Sequence, residues 1–233
     1  MTSTLDCAKL TTREINATIK RLAAEGETEI HLVNPEARHS LGVAVFSPIT
    51  IWIEGTAGYY CGAMADGATF HIKGNTGWSV GECMLSGEII VEHNSASGTG
   101  ASIRGGTVVV KGHAGGRTGI SQKGGLIVVG GDTGYMSGFM MQKGTMIICG
   151  DAADGLGDSM YAGTIYVGGK VNELGNDAVL QEMTGEDAQF LHETLAHYGL
   201  NEKRHISDFK RIGSGGRLHN FSKADFELWR VAM

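Results

Sequence analysis

Hydrophobic positions along the central part of the chain come in short clusters at a fixed spacing. An apolar triplet recurs every 19 residues, at Ile51-Trp52-Ile53, Phe70-His71-Ile72, Ile89-Ile90-Val91, Val108-Val109-Val110, Ile127-Val128-Val129, Met146-Ile147-Ile148 and Ile165-Tyr166-Val167. The first and third members are apolar in all seven copies, while the middle one ranges from Trp to His to Tyr. That is the signature of a strand whose alternate side chains face opposite ways. Two residues after each triplet stand Gly55, Gly74, His93, Gly112, Gly131, Gly150 and Gly169, and seven further on come Gly62, Gly81, Gly100, Gly119, Gly138 and Gly157, lapsing at Asn176. Weaker columns hold Gly58, Gly77, Ala96, Gly115, Gly134 and Ala153, and then Ala68, Gly87, Gly106, Gly125, Gly144 and Gly163.

A corner repeated in every coil needs backbone at positive φ or very close approach of neighbouring chains, and glycine supplies both. Short strands between such corners stack in register, each coil burying the apolar face of the next. The pattern predicts an all-β fold, a right-handed parallel β-helix of seven 19-residue coils, roughly 30 Å long at the usual strand spacing. Coils of this length do not divide into six- or nine-residue side repeats, and a propeller blade would need about 40–45 residues.

The flanks read differently. Thr11-x-x-Glu14 is a capping box ahead of Ile15, Ile19 and Leu22, with Gly26 as the stop. A strand-like run, Glu29 to Val33, leads into the solenoid. After the last coil, Thr184 to Tyr198 reads as a helix with Ala188, Leu191, Leu195 and Tyr198 on one side and Gly199 as its stop. We therefore expect α-helical caps at both ends. The expected organisation is an N-terminal helix and entry strand (1–48), the glycine-repeat β-helix (49–176), and a C-terminal helix with a docking tail (177–233). Phe209, Phe221, Phe226 and Trp229 are that tail's aromatic anchors.

Composition narrows the function. Glycine accounts for 37 residues, 30 of them between positions 55 and 175, whereas proline contributes two, so neither collagen nor a low-complexity linker explains the excess. The net charge of −6 and the absence of any basic cluster argue against nucleic acid. Four scattered cysteines, Cys7, Cys61, Cys83 and Cys149, fit a reducing compartment. With no signal-peptide pattern and no apolar run of membrane-spanning length, a cytoplasmic protein without membrane contact is expected.

Candidate chemistry is sparse. Asp151, Asp154 and Asp158 crowd one coil near Asp132, but a single acidic coil with no basic residue in its column reads as solvated corners rather than a cation site. Gly213-Ser214-Gly215-Gly216-Arg217 lies outside the repeat and is a candidate anion nest. The glycine loops are followed by strand, not helix, so they lack the context of a phosphate-binding loop. His93 replaces a repeat glycine and is expected at a corner between Gly74 and Gly112. Met64, Met84, Met140, Met141 and Met160 are expected to fill the interior. No nucleophile–base pair or metal-ligand spacing emerges, so no catalytic, cofactor-binding or metal residue is expected. The residues that matter are the corners Gly55, Gly62, Gly74, Gly81, Gly100, Gly112, Gly119, Gly131, Gly138, Gly150, Gly157 and Gly169.

The G-x-x-G-x-x-x-G corners, as in Gly55–Gly62, Gly112–Gly119 and Gly150–Gly157, resemble the glutamate synthase C-terminal β-helix family. That family includes the glutamate synthase large subunit and the β-helix subunit of formylmethanofuran dehydrogenase. The strings Gly58-Tyr59-Tyr60-Cys61, Gly157-Asp158-Ser159-Met160-Tyr161 and Leu218-His219-Asn220-Phe221 are similar to its small members, the β-helix subunits of N-methylglutamate synthases. His93, Asn94 and Ile212 depart from the pattern. The resemblance implies a non-catalytic structural subunit that holds a glutamine-amidotransferase-like subunit and an FMN-binding synthase-like subunit, with FMN in the partner and no cofactor in this chain. The same resemblance leaves open the equivalent β-helix subunit of a formyltransferase/hydrolase or formylmethanofuran dehydrogenase complex. A polysaccharide-acting β-helix enzyme would need a carboxylate cluster beside a basic residue, and a self-polymerising solenoid would lack capped ends.

Overall fold

A computed structural model describes residues 2–218 of the chain. Strand β1 (Thr2–Asp6) is followed by helix α1 (Thr12–Ala24) and strand β2 (Glu29–Val33). The repeats then supply β3 (Thr50–Ile53), β4 (Thr69–Ile72), β5 (Glu88–Val91), β6 (Thr107–Val110), β7 (Lys123–Val129), β8 (Lys143–Ile148) and β9 (Thr164–Val167). Strand β10 (Ala178–Gln181), helix α2 (Gly185–His197) and strand β11 (Lys210–Ser214) complete the described chain.

One sheet of 11 strands runs in the order β1-β2-β3-β4-β5-β6-β7-β8-β9-β11-β10. Pairing from β1 to β9 is parallel throughout. Thr50 aligns with Thr69, Thr69 with Glu88, Glu88 with Thr107, Thr107 with Leu126, Leu126 with Thr145 and Thr145 with Thr164. Each step is one sequence repeat, so the 19-residue period is the coil. A second wall is registered the same way through Ala57, Thr76, Ser95, Ala114, Thr133, Ala152 and Val171. The fold is a parallel β-solenoid of about seven turns, and β1 and β2 extend its sheet upstream.

Strands form here because each coil offers two apolar residues, nearly all β-branched or aromatic, to a shared interior. Ile51, Phe70, Ile89, Val108, Ile127, Met146 and Ile165 form one inward column, with Ile53, Ile72, Val91, Val110, Val129, Ile148 and Val167 as the other, all fully buried. Polar residues also enter the interior, and some are satisfied within their own coil. Thr99, Thr118 and Ser137 donate their hydroxyls to the carbonyls of Ala96, Gly115 and Gly134, three residues back.

The two helices do different jobs. Helix α1 carries the foreseen capping box between Thr11 and Glu14 and adds Ile15 and Ile19 to the interior core. Asn16 fastens it, donating to Ser40 O at 2.7 Å and accepting from Gly42 N at 2.8 Å. Helix α2 does not close the C-terminal end as expected. Its Leu191 and Leu195 pack on the outer face of the sheet, against Val109, Val128, Ile147 and Tyr166. The reason is visible in the middle member of each triplet. Strands β3 to β5 bury only alternate residues, whereas in β6, β8 and β9 the last three residues are all buried. The flank of the later coils is apolar enough to take a helix.

The last coil is closed instead by strand. Strand β11 inserts between β9 and β10, antiparallel to both. The tail as far as Leu218 is thus woven into the solenoid, with Phe209 buried in the flank cluster. Phe221, Phe226 and Trp229 lie outside the described residues.

Candidate interaction surface

Glycine serves two purposes at the corners. At Gly62, Gly81, Gly100, Gly119, Gly138 and Gly157 the backbone is left-handed, with φ between +62° and +71°. A Cβ at Gly62 would also lie 2.7 Å from Ile89 Cδ1 in the core. In the other column, Gly55 has φ +147°, but Gly74, Gly112, Gly131, Gly150 and Gly169 are not left-handed. There the requirement is proximity: a Cβ at Gly112 would meet the His93 carbonyl oxygen at 2.7 Å. His93 is exposed at its corner and accepts the Gly112 N–H at 2.9 Å.

Left-handed backbone is not confined to glycine. Two residues before each left-handed glycine, Tyr60, Ser79, Gly98, Arg117, Met136 and Gly155 share that conformation, and so do Met64, Cys83, Ser102, Ser121, Met140 and Ser159 two residues after. The alternation stitches each coil to both neighbours. Tyr60 N and Met64 N donate forward to Trp78 O and Glu82 O, while Gly62 N donates back to Leu41 O. Sequence reasoning missed these positions because Tyr, Met and Arg do not signal positive φ. The Ser and Gly in the same columns are the only trace of it.

The residue after each proximity corner forms a ladder of side-chain acceptors. Asn75 Oδ1 accepts from Asn94 N, Asn94 Oδ1 from His113 N, His113 Nδ1 from Asp132 N, Asp132 Oδ1 from Asp151 N and Asp151 Oδ1 from Lys170 N, at 2.7–3.0 Å. Asp132 and Asp151 therefore serve the backbone of the next coil. Asp158 accepts from Asn176 and Ser159. Among the described residues no group of three or more His, Cys, Asp or Glu side chains is placed to hold a metal ion. The glycine-rich nest is also occupied from within: Asp177 Oδ2 accepts from Arg217 N at 2.8 Å and Leu218 N at 3.0 Å.

Burial pushes the Cys61 thiol up to about 12 and the Cys149 thiol to about 11, which makes both poor nucleophiles. The buried Tyr166 donates to Asp187 Oδ1 at 2.5 Å, and Asp187 also caps α2 through Thr184. Burial alone would raise the Asp187 carboxyl, but hydrogen bonds from Tyr166 and Thr184 and the Arg211 charge hold it below the ordinary range.

What the surface offers instead is large apolar side chains, concentrated on the first coils. Phe46, Tyr59, Tyr60, Met64, Trp78 and Leu85 are all exposed, Phe46 by 67% and Trp78 by 56%. Met64 thus does not fill the interior as expected, whereas Met84, Met141 and Met160 do. His39, Tyr59 and Trp78 stack along the solenoid with ring centroids 4.3 and 5.2 Å apart and planes within 15°. Beside them Tyr60, Met64, Val43, Ala63, Cys83 and Glu82 line a cavity of about 430 Å³. On the sheet face of the same coils, His31, Trp52 and His71 form a second stack, left bare by α2. Among the described residues no helix is long and apolar enough to cross a membrane.

A model of the family described as GXGXG motif matches residues 38–208, most of the chain. Over 66 residues the chain is 38% identical to Protein GlxC of Rhizobium meliloti (strain 1021), covering 28% of this chain and 29% of that protein. The match therefore spans less than a third of that relative's length. Gly98-Thr99-Gly100-Ala101-Ser102 shows the left-handed triple of this fold at its first, third and fifth residues.

Proposed function

We propose, from the premise that this chain belongs to the GXGXG family, that it is a non-catalytic β-solenoid subunit of a glutamate-synthase-related enzyme complex. The observation that carries the reading is how the side chains are spent. The acceptor ladder and the nest are consumed by the chain's own backbone, while aromatic side chains are left exposed over the first coils. Polar groups committed to backbone are not free for acid–base work, and exposed aromatic clusters are the commonest anchors of protein interfaces.

In the finer form of this proposal the complex is an N-methylglutamate synthase, forming N-methylglutamate from methylamine and glutamate. The solenoid holds a glutamine-amidotransferase-like subunit beside an FMN-binding synthase-like subunit, and FMN belongs to the latter. The similarity of the Gly58–Cys61 and Gly157–Tyr161 strings to the small subunits of such enzymes supports this choice. The test is to isolate the complex through a tag on this chain and supply methylamine and glutamate. Product formation by the flavin-containing complex, and none by the isolated chain, is expected. Turnover by the chain alone, or one equivalent of flavin or metal retained on it after dialysis, contradicts the scaffold reading. A complex without flavin removes the finer assignment alone.

A further inference from the structure

We infer that the arc of the first two coils, centred on Tyr60 and Met64, is the face on which a partner subunit docks, inserting a large apolar side chain flanked by Lys or Arg. This rests on the scaffold reading above and adds the surface and the chemistry of its occupant. Three observations converge. Tyr60 and Met64 hold left-handed backbone at φ +59° and +56°, yet are 46% and 45% exposed. Other coils place Gly98, Ser102, Ser121, Gly155 and Ser159 in these two columns. The fold therefore accepts small residues there, and a bulky side chain in a disfavoured conformation brings the core nothing.

The cavity between them is apolar through Val43, Ala63 and Met64, and the neighbouring coils also expose the stacked Tyr59 and Trp78 rings. Glu82 stands on its rim, half-buried, its carboxylate making no hydrogen bond or ion pair to any described residue. A carboxylate at the edge of an apolar cavity is complementary to a cation carried by whatever fills the cavity. A second copy of this chain fits poorly. A two-fold contact through this face would set Glu82 against its symmetry mate, in a protein of net charge −6 with no basic cluster to offer.

The experiment uses the tagged full-length chain in its native host, with Tyr60→Ser, Met64→Ser and Glu82→Lys compared against Tyr135→Ser, which changes the same arc far from the cavity. Cys83 lines the cavity and is the one cysteine of four that is not buried, so its alkylation by iodoacetamide reports coverage of the face. We expect Cys83 to be alkylated in the free chain and protected at least tenfold in the isolated complex. Each of the three cavity variants should lose roughly tenfold or more of the co-purifying subunits at unchanged melting temperature, with Tyr135→Ser retaining them. Carbodiimide should join Glu82 to a lysine of a subunit, or Glu82→Lys binding should be regained with a charge-reversed partner. Subunits that co-purify undiminished with all three variants, with Cys83 still reactive, overturn this face while leaving the scaffold reading intact. Wild-type chain that brings down no subunit removes both. Concentration-dependent self-association abolished by Glu82→Lys replaces the partner with a second copy and overturns the proposal.

Discussion

At position 64 a methionine holds a backbone conformation that costs an L-residue about 1–2 kcal/mol relative to the right-handed regions. Met64→Gly should therefore leave stability unchanged or raise it by up to about 1 kcal/mol, measured by denaturant unfolding. A loss of more than that would mean that the side chain supports the core. Position 112 behaves in the opposite sense for a different reason. Gly112 is not left-handed, so Gly112→Val acts through the close approach of the His93 carbonyl. The backbone of the preceding coil cannot yield as a side chain could, and a loss of about 3 kcal/mol is expected. His93→Gly, at an exposed corner, should cost about 1 kcal/mol or less. A melting temperature unmoved by Gly112→Val would show that the coils are not stacked at this spacing.

At the scale of elements, α2 is held to the flank by a buried polar contact as well as by Leu191 and Leu195. Asp187 has a depressed folded pKa, so its contribution is fully present above the unfolded value of about 3.9 and is lost as pH falls through the folded value. Acid should therefore release α2 below about pH 4, and Tyr166→Phe should move that release to higher pH. Tyr198 gives the alkaline limit. Burial and its bond to Glu88 push it up to about 12, so what it contributes is present below about pH 10 and fades as pH approaches 12. Helical circular dichroism and amide exchange across α2 read both edges, and an acid release that Tyr166→Phe leaves at the same pH would contradict the acid limit. Much of this element layer was legible in the sequence. The 19-residue triplets gave the strands, and Thr11 and Thr184 gave the starts of both helices. The place of α2 was not, because a single amphipathic face does not say which apolar surface receives it. The buried middle residues Val109, Val128 and Ile147 held that information, but only as a contrast with Trp52 and His71. The insertion of β11 between β9 and β10 was equally hidden, since antiparallel closure of a parallel stack leaves no periodic trace. It decides the effect of removing residues 201–233. That truncation strips the partner strand from β9 and deletes Phe209 from the flank cluster, uncovering what it packs against. It should cause aggregation, as light scattering would show.

For the molecule as a whole, the repeat makes a rigid column whose coils differ mainly on the outside. The later coils cover their flank with the chain's own helix and strand, and the first coils leave aromatic stacks open. The candidate surface was only partly visible beforehand, because the exposure of Tyr60 and Met64 follows from backbone handedness that their residue types do not announce. On the proposed scaffold reading, the open half is the one that receives a partner. The most direct measurement is the native mass of the particle isolated through a tag on this chain at its natural expression level. The account predicts a discrete assembly in which the 24.6 kDa solenoid is joined by at least two larger, different subunits in fixed ratio. A particle whose mass is 24.6 kDa or a whole multiple of it, with no other subunit present, would contradict it.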